Sequence, residues 1–268
     1  MLNRSRQTKG PVIYWMSRDQ RARDNWALLF AFELCNESGV EVVFTLAPAF
    51  AGASLRHYSF MLEGLKKNEK LLAQHNIPFH LRIGEPGTAV REIVKTRKAG
   101  ALVTDFDPLK HKRSWKAAAA RDIEIPFFEV DTHNIVPCRH ASDKQEYAAY
   151  TMRPKIQRKL DEFMVPFPRL PVQKKRELFP ADWQEAYKAL KAEEAGPPQA
   201  QPSPGSAAAE RQLDIFIENG LQNYSQESSD PNKKAVSNLS PWLHFGHISA
   251  QQAAAAVKKC DAPDKEKE

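Results

Sequence analysis

The sequence predicts an α/β fold in which a Rossmann-like parallel five-stranded sheet is followed by a region of helical segments. Three observations support this prediction. Five short apolar runs alternate with segments of helical periodicity in the first half of the chain. A proline- and glycine-rich stretch at 196–205 interrupts the pattern, and only helical segments follow it. Strands joined by helices need right-handed crossovers, which produce a parallel sheet covered on both faces.

Each apolar run has the length of a buried strand, and a helical pattern separates it from the next run. The predicted strands are 12–16, 41–46, 77–83, 101–104 and 125–130. The predicted helices between them are 24–34, 55–75, 88–98 and 112–121. The first of these helices is apolar nearly all round, which indicates that it is well buried.

The composition changes after Pro137, and the chain divides into three predicted parts. Residues 1–137 form the α/β domain, and residues 138–207 are a connection that contains the linker at 196–205. Within the connection, residues 146–163 show helical periodicity. Residues 208–268 begin a helical domain, with helices at 208–219 and in an alanine-rich segment that stops near Cys260.

Composition excludes several classes of protein. Lysine and arginine number 39 and aspartate and glutamate 33, so the net charge of +6 permits a polyanionic partner. Three cysteines, Cys35, Cys138 and Cys260, are too few and too scattered for a disulfide framework or a metal site, which indicates a reducing compartment. The longest uncharged run, 235–257, contains polar residues and proline that a membrane span excludes. We expect an intracellular protein with no metal and no membrane contact.

Ligands of parallel sheets bind beyond the carboxyl ends of the strands. This rule directs attention to Asp105 and Asp107 after the fourth strand and to Asp131 and His133 after the fifth. Both Asp105 and Asp107 have two open roles, contact with a bound ligand and helix capping. No Gly-x-Gly-x-x-Gly or Walker loop follows the first strand, which disfavours a dinucleotide or P-loop enzyme.

The segment Ser237-Asn238-Leu239-Ser240-Pro241 has the chemistry of a phosphate cradle. Ser240 suits a helix N-cap and Pro241 the first helical position. Free backbone N–H groups at a helix start, with serine and asparagine side chains beside them, bind phosphate. The same pattern also caps ordinary helices, and spacing alone favours that interpretation.

Seven segments, in order and at consistent spacing, match one family. They are QRARDNWAL at 20–28, FMLEGL at 60–65, TDFDPL at 104–109, VDTHNIVPC at 130–138, ASDKQEYAAYT at 141–151, RPKI at 153–156 and SNLSPWLHFG at 237–246. Over residues 21–249 the chain therefore resembles the class II cyclobutane-pyrimidine-dimer DNA photolyases of the photolyase/cryptochrome superfamily.

The resemblance implies that residues 1–137 are an antenna domain and that residues 208–268 are the truncated, incomplete beginning of an all-helical FAD-binding domain. It implies that Ser237, Asn238, Leu239 and Ser240, with Tyr224 upstream, hold the FAD diphosphate. The implied activity is that of a deoxyribodipyrimidine photo-lyase, in which reduced, light-excited FAD passes an electron to a pyrimidine dimer in DNA. A deazaflavin or a folate is the implied antenna chromophore.

The family's FAD domain continues well past the segment at 237–241. We therefore expect the catalytic residues in that further part and none in this chain. The FAD site is expected to be incomplete and the chain alone inactive. One alternative is a cryptochrome-like flavin photoreceptor or binding module without repair. Another is a free-standing α/β ligand-binding domain with 208–268 as a disordered tail. The expected protein is a monomer, cytoplasmic in a bacterium or archaeon and nuclear in a eukaryote.

Some positions depart from the family's usual pattern. Ser228 and Ser229 replace Arg-Asn, Arg139 replaces Trp, His247 replaces Gln, and Gln252 replaces Arg. Because a neutral side chain cannot replace the charge-assisted contact of an arginine, we expect weaker FAD and DNA contacts.

Other residues with chemical potential have simpler interpretations. Trp15, Trp26 and Trp115 would relay electrons or contact a pigment, but core packing is favoured. Histidines at 133 and 140 lack partners at fixed spacing, so structural roles are favoured over acid–base roles. The basic run 174–176 would contact DNA, but such runs usually form solvated surface.

Overall fold

The first half of the chain forms one parallel sheet, as predicted. The structure is a computed structural model that describes residues 1–3, 8–35, 37–193 and 202–267. Its strands lie in the order β3-β2-β1-β4-β5, and all neighbours are parallel. The strands are β1 (Val12–Met16), β2 (Val40–Leu46), β3 (Phe79–Ile83), β4 (Ala101–Asp105) and β5 (Phe127–Val130). The order reverses between β1 and β4, so the crossovers cover both faces of the sheet.

The side chains of β1 alternate between two apolar layers. Val12, Tyr14 and Met16 pack in the layer that contains α1 and α2 (Trp26–Leu34 and Leu55–Gln74). Ile13 and Trp15 pack in the layer that contains α3 and α4 (Pro86–Thr96 and Lys110–Asp122). A strand buried on both faces reads as a continuous apolar run, which is why the sequence pattern located it.

Caps shift the starts of two crossover helices by two residues from the predicted positions. The side chain of Asn25 accepts a hydrogen bond from the backbone N–H of Leu28 at 3.0 Å, so α1 begins after Asn25. The carboxylate of Glu85 caps α3 through the N–H groups of Gly87 and Thr88, so α3 begins at Pro86. Polar caps satisfy N–H groups that have no partner within the helix.

Between residues 138 and 193 the chain forms four short helices, and two of them take the place of the single helix predicted over 146–163. That prediction is wrong, because the first of the two, α6 (Ala149–Gln157), ends before residue 158. Pro154 lies inside α6 and lacks a backbone N–H to donate. The last of the four helices, which the sequence pattern missed, has Asp182 as its N-cap. The helices are α5 (Cys138–Ala141), α6 (Ala149–Gln157), α7 (Leu160–Phe163) and α8 (Trp183–Lys188).

Part of the connection lies against the amino end of β2. The side-chain amide of Gln173 accepts from the N–H of Val40 at 2.7 Å and donates to its carbonyl at 2.8 Å, as a neighbouring strand would. Arg176 donates to the carbonyl of Ser38, so it has a structural partner, whereas Lys174 and Lys175 are exposed. In the basic run at 174–176, one side chain therefore has a structural role and the other two are solvated.

The helical region packs around an apolar cluster of its own. Its elements are α9 (Ser206–Asn219), a 3₁₀ turn (Leu221–Asn223), α10 (Tyr224–Glu227), α11 (Ser240–His244), α12 (Ala250–Lys259) and α13 (Asp264–Lys267). Phe60 of α2 joins this cluster with Leu213, Phe216, Leu239 and Trp242. Residues 206–259 are therefore mostly packed helix and not the disordered tail of the alternative interpretation.

The predicted linker falls largely outside the described residues, at 196–201. Its described end lies against the folded protein, because Lys67 donates to the carbonyl of Pro204 and Trp242 donates to that of Ser203. The proposed domain boundaries at 137 and 207 stay predictions. Within the described part of the chain, no helix combines the length and apolar character that crossing a membrane requires.

A buried carboxylate on β2 is held by two basic side chains. Glu41 is 1% exposed. It lies 2.8 Å from His80 Nε2 and accepts from Arg97 Nε and Nη2 at 2.8 and 2.7 Å. Burial would raise the pKa of this carboxyl, but the hydrogen bonds and charges of His80 and Arg97 lower it to about 2.

We expect Glu41→Gln to lower the free energy of unfolding by about 2 kcal/mol near neutral pH, because it weakens hydrogen bonds to charged groups. The pKa of Glu41 is lower in the folded than in the unfolded chain. Its contribution is therefore present above the unfolded value of 4.5 and fades as the pH falls towards 2. Urea titrations of wild type, Glu41→Gln and the exposed control Glu33→Gln test this. An undiminished difference at about pH 3 would contradict the assignment.

Candidate functional site

The carboxylate of Asp105 fills a backbone cradle at the carboxyl end of β1. Its Oδ2 accepts from the N–H groups of Ser17, Arg18 and Asp19 at 2.8, 2.9 and 3.1 Å. Its Oδ1 accepts from the hydroxyl of Tyr14 at 2.6 Å. Successive backbone N–H groups of this kind bind anions such as phosphate. The place where a Rossmann-like sheet holds a ligand phosphate is thus occupied by the protein's own side chain.

Asp105 takes neither of the roles that the sequence left open for it. It is 1% exposed, so it does not face a ligand, and it caps no helix. Burial and the nearby charge of Asp19 raise its pKa to about 6 against the opposing hydrogen bonds. Asp107 is closer to the capping role, because its Oδ1 accepts from the N–H of Leu109 at the start of α4.

The crevice at the reversal of strand order, between β1 and β4, is narrow. Its cavity has a volume of about 10 Å³, room for about one water molecule. Lys112 closes it, with Nζ 4.9 Å from the ring of Trp115 and 5.2 Å from that of Phe50. Burial lowers the pKa of Lys112 to about 8 against the nearby aspartates. Trp15 is a core residue here, as predicted, and its Nε1 donates to Thr45.

A larger cavity of about 460 Å³ opens beyond the carboxyl ends of β4 and β5. Rings of Trp26, Phe106 and Phe163 line it, together with Asp131. The ring centre of Trp26 lies 4.6 Å from that of Phe167. The ring centre of Phe163 lies 5.5 Å from that of the His140 imidazole. Cavities of about 300 to 1,000 Å³ with aromatic walls accommodate organic ligands. The rule about strand ends therefore correctly indicated a cavity beside Asp131.

A carboxylate in the wall of this cavity forms ion pairs with basic side chains. Glu129 is 8% exposed and forms ion pairs with Lys116 and, at 3.0 Å, with Arg139. The imidazole of His140 lies at the mouth of the cavity. His133 is not part of the lining, and its Nδ1 lies 3.4 Å from Asp19 Oδ1. Arg139 therefore serves as an ion-pair partner at the position where the resemblance leads one to expect Trp.

Four of the five residues predicted to hold a diphosphate, 237–240, are consecutive and run from the polar loop into the first residue of α11. Leu239 is buried, Asn238 and Ser240 are exposed, and Ser237 is half-buried. Asn238 has left-handed backbone geometry (φ +54°), which asparagine tolerates better than most residues. The loop therefore has one apolar anchor and three polar side chains near the surface.

The predicted N-cap of α11 is wrong by one residue. Leu239 holds the N-cap position, with φ −76° and ψ −9°, and Ser240 is the first helical residue. The side chain of Leu239 is anchored in the apolar cluster with Trp242, so the chain enters helical geometry before the serine. Ser237 Oγ instead lies 3.4 Å from the N–H of Leu239. Burial of the apolar side chain outweighs the capping preference of serine.

Tyr224 belongs to the same packed unit as this loop. It is the first residue of α10 and 40% exposed, and its ring meets that of Phe216 edge-on at 5.7 Å. Phe216 and Leu239 are members of one apolar cluster. Gln212 also donates to the carbonyl of Ser237 at 2.9 Å. All five residues proposed to hold a diphosphate therefore lie in the helical region that surrounds this apolar cluster.

Two departures from the family pattern have structural partners. His247 is 1% exposed, stacks on Phe60 at 5.2 Å, and its Nδ1 accepts from the N–H of Gly205 at 3.2 Å. Burial and nearby positive charge lower its pKa to about 3, so the imidazole is neutral. Gln252 Nε2 lies 3.4 Å from a carboxylate oxygen of Glu210. Among the residues that the structure describes, no group of three His, Cys, Asp or Glu is arranged to hold a metal ion.

Known proteins match the chain over most of its length. The DNA photolyase family model matches residues 12–173. Deoxyribodipyrimidine photo-lyase of Potorous tridactylus is 42% identical over 254 residues, which are 92% of this chain and 48% of the relative. The Arabidopsis thaliana enzyme of the same name is 38% identical over 268 residues, or 94% of this chain and 54% of the relative. The chain spans about half the length of the curated relatives that it matches.

Solved structures share the fold. A class III photolyase from Agrobacterium tumefaciens superposes with a TM-score of 0.77 and 21% identity, over 98% of this chain and 56% of that one. A cryptochrome from Synechocystis sp. PCC6803 gives a TM-score of 0.73 and 16% identity, over 92% and 55%. These identities show a common fold and nothing finer. Together with the family match over residues 12–173, they confirm the resemblance seen in the sequence, and the chain belongs to the DNA photolyase family.

Proposed function

We propose that this chain contributes to the activity of a deoxyribodipyrimidine photo-lyase. Such an enzyme is a carbon–carbon lyase that repairs cyclobutane pyrimidine dimers in DNA with light and reduced FAD. The observation that supports this most directly is 42% identity to an enzyme of that name over nearly the whole chain. When bound, FAD supplies the light-excited electron. The net charge of +6 suits a polyanionic partner. The Synechocystis cryptochrome shares the fold only, so no observation favours the photoreceptor alternative.

The diphosphate-binding role is proposed for Ser237, Asn238, Leu239 and Ser240, with Tyr224. The loop fits such a group, because two hydroxyls and an amide lie near the surface on a backbone anchored by buried Leu239. Hydroxyl, amide and backbone N–H groups donate hydrogen bonds to phosphate oxygens. These residues bind and orient, and we assign no catalytic residue in this chain.

An antenna pigment, a deazaflavin or a folate, is proposed for the cavity beyond β4 and β5. The crevice at the strand-order reversal holds about 10 Å³ and the second cavity about 460 Å³, so the second has the room for a ring system. Trp26, Phe106 and Phe163 offer ring faces to it. The proposed protein acts as a monomer inside the cell, in the nucleus of a eukaryote or the cytoplasm of a prokaryote. Its relatives come from a marsupial, plants and an archaeon.

Light-dependent repair tests the proposed activity. The chain and the full product of its reading frame are purified, and dimer-containing DNA is assayed in the light and in the dark. We expect repair with bound FAD from the full product and none from the chain alone, since the chain spans about half of its relatives. Flavin binding by the full product without repair would support the photoreceptor alternative. Absence of flavin would refute both functions.

Asn238→Gly tests the diphosphate loop without straining its backbone, because glycine tolerates the left-handed geometry of residue 238. We expect its dissociation constant for ADP, and that of Ser237→Ala, to rise about tenfold, since each loses one hydrogen bond to a charged group. The measurement is calorimetric titration of the full product. Ser114→Ala, an exposed serine in α4, is the matched control. Riboflavin, which lacks phosphate, should bind all variants equally; equal ADP binding would contradict the assignment.

Phe163→Ala tests the pigment cavity. Titration with a deazaflavin and with a methenyl folate, followed by pigment fluorescence, should show affinity about tenfold weaker than wild type, because one stacking face is lost. Lys112→Ala, at the narrow crevice, should bind the pigment like wild type. The opposite pattern would place the pigment at the crevice. Thermal unfolding of both variants checks that each is folded like wild type.

A further inference from the structure

The turn after α11 is in direct backbone contact with the loop between β1 and α1. Gly246 has φ +66°, and a Cβ on it would collide with the carbonyl of Arg18 and lie 2.5 Å from Asp19 Cα. The N–H of Gln20 donates to the carbonyl of Phe245 at 3.3 Å. Only glycine permits this approach. The helical region is thus in close backbone contact with the loop at the carboxyl edge of the sheet.

A single buried guanidinium spans this contact. Arg21 is 2% exposed. Its Nη1 donates to the carbonyl of Gly246 at 3.0 Å and to Asp19 Oδ1 at 2.7 Å. Its Nη2 donates to the carbonyl of Thr132 at 3.2 Å, and its Nε to that of Asp24 at 3.0 Å. The planar fork of arginine meets all four acceptors at once, which an ammonium group cannot do.

Gly246 is coupled to the diphosphate loop through one short rigid piece of chain. Helix α11 lies between them, and the N–H of His247 donates to the carbonyl of Trp242 at 2.8 Å. Leu239, Trp242 and Phe245 pack in the apolar cluster and so hold that piece along its length. A shift of Gly246 against the sheet would therefore carry residues 237–240 with it.

We propose that Arg21 is the positioning residue that sets the placement of the loop 237–240 relative to the α/β domain. It acts through the carbonyl of Gly246 and does not contact the ligand. The nature of that ligand rests on the proposed function, whereas the placement of the loop does not. Asp19, Asp24 and His247 interact electrostatically with Arg21, and His133 and Asp105 lie against Asp19.

The role is measured by hydrogen exchange in the full product of the reading frame. Arg21→Met removes every donor, and Arg21→Lys keeps the charge that Asp19 requires but loses the fork. The exposed Arg23→Met, two residues away, is the matched control. We expect amide exchange in 237–246 to quicken about tenfold in Arg21→Met and less in Arg21→Lys, because the loop loses its anchor. Exchange in β1 should match wild type in both Arg21 variants. Exchange in Arg23→Met should match wild type throughout.

The outcomes separate the two proposals. Exchange that quickens equally in β1 and in 237–246 would show general destabilisation and overturn the positioning role, as would unchanged exchange in 237–246. If Arg21→Met does not fold, Arg21→Lys decides by the same criteria. The dissociation constant for ADP should rise about fivefold in Arg21→Lys, since a displaced loop presents its donors poorly. A wild type that binds no ADP refutes the proposed function, while selective exchange in 237–246 still supports the role of Arg21.

Discussion

The contact between the sheet and the helical region is built around the buried guanidinium of Arg21. The guanidinium neutralises the buried carboxylate of Asp19, which would otherwise be costly to hold away from water. Its remaining donors reach carbonyls that belong to the strand-5 loop and to the turn after α11, through Thr132 and Gly246. One side chain thus satisfies buried polar groups from three segments. The sheet and the helical region meet where polar backbone needs partners, and Gly246 permits the contact because it lacks a Cβ.

The same edge of the sheet explains how this domain departs from nucleotide-binding relatives of its architecture. Asp105 fills the backbone cradle after β1, so the N–H groups of that loop have a partner within the protein. A larger cavity lies farther along the same edge, beyond β4 and β5. The residues proposed to bind phosphate lie in the helical region, on a loop that Leu239 anchors.

Local patterns predicted the sheet well, because strands buried on both faces are continuous apolar runs and their crossover helices have clear periodicity. Errors arose where tertiary packing outweighed a local preference. Ser240 has the chemistry of an N-cap, yet burial of Leu239 moved the helix start. The helix predicted over 146–163 is divided, with Pro154 inside its first part. Asp105 was located correctly at a strand end, but its partners lie 86 to 91 positions away in sequence, so its role was not visible.

The sequence by itself determined the order of strands and helices, the family, and the residues proposed to hold a diphosphate, because these depend on local periodicity and on motifs of adjacent residues. The tertiary structure alone decided which buried charges meet. Arg21 and Gly246 are 225 positions apart. Their contact arises only when the helical region folds back onto the carboxyl edge of the sheet. Periodicity records which face of an element is buried, whereas the partner of a buried polar group depends on the path of the chain through space.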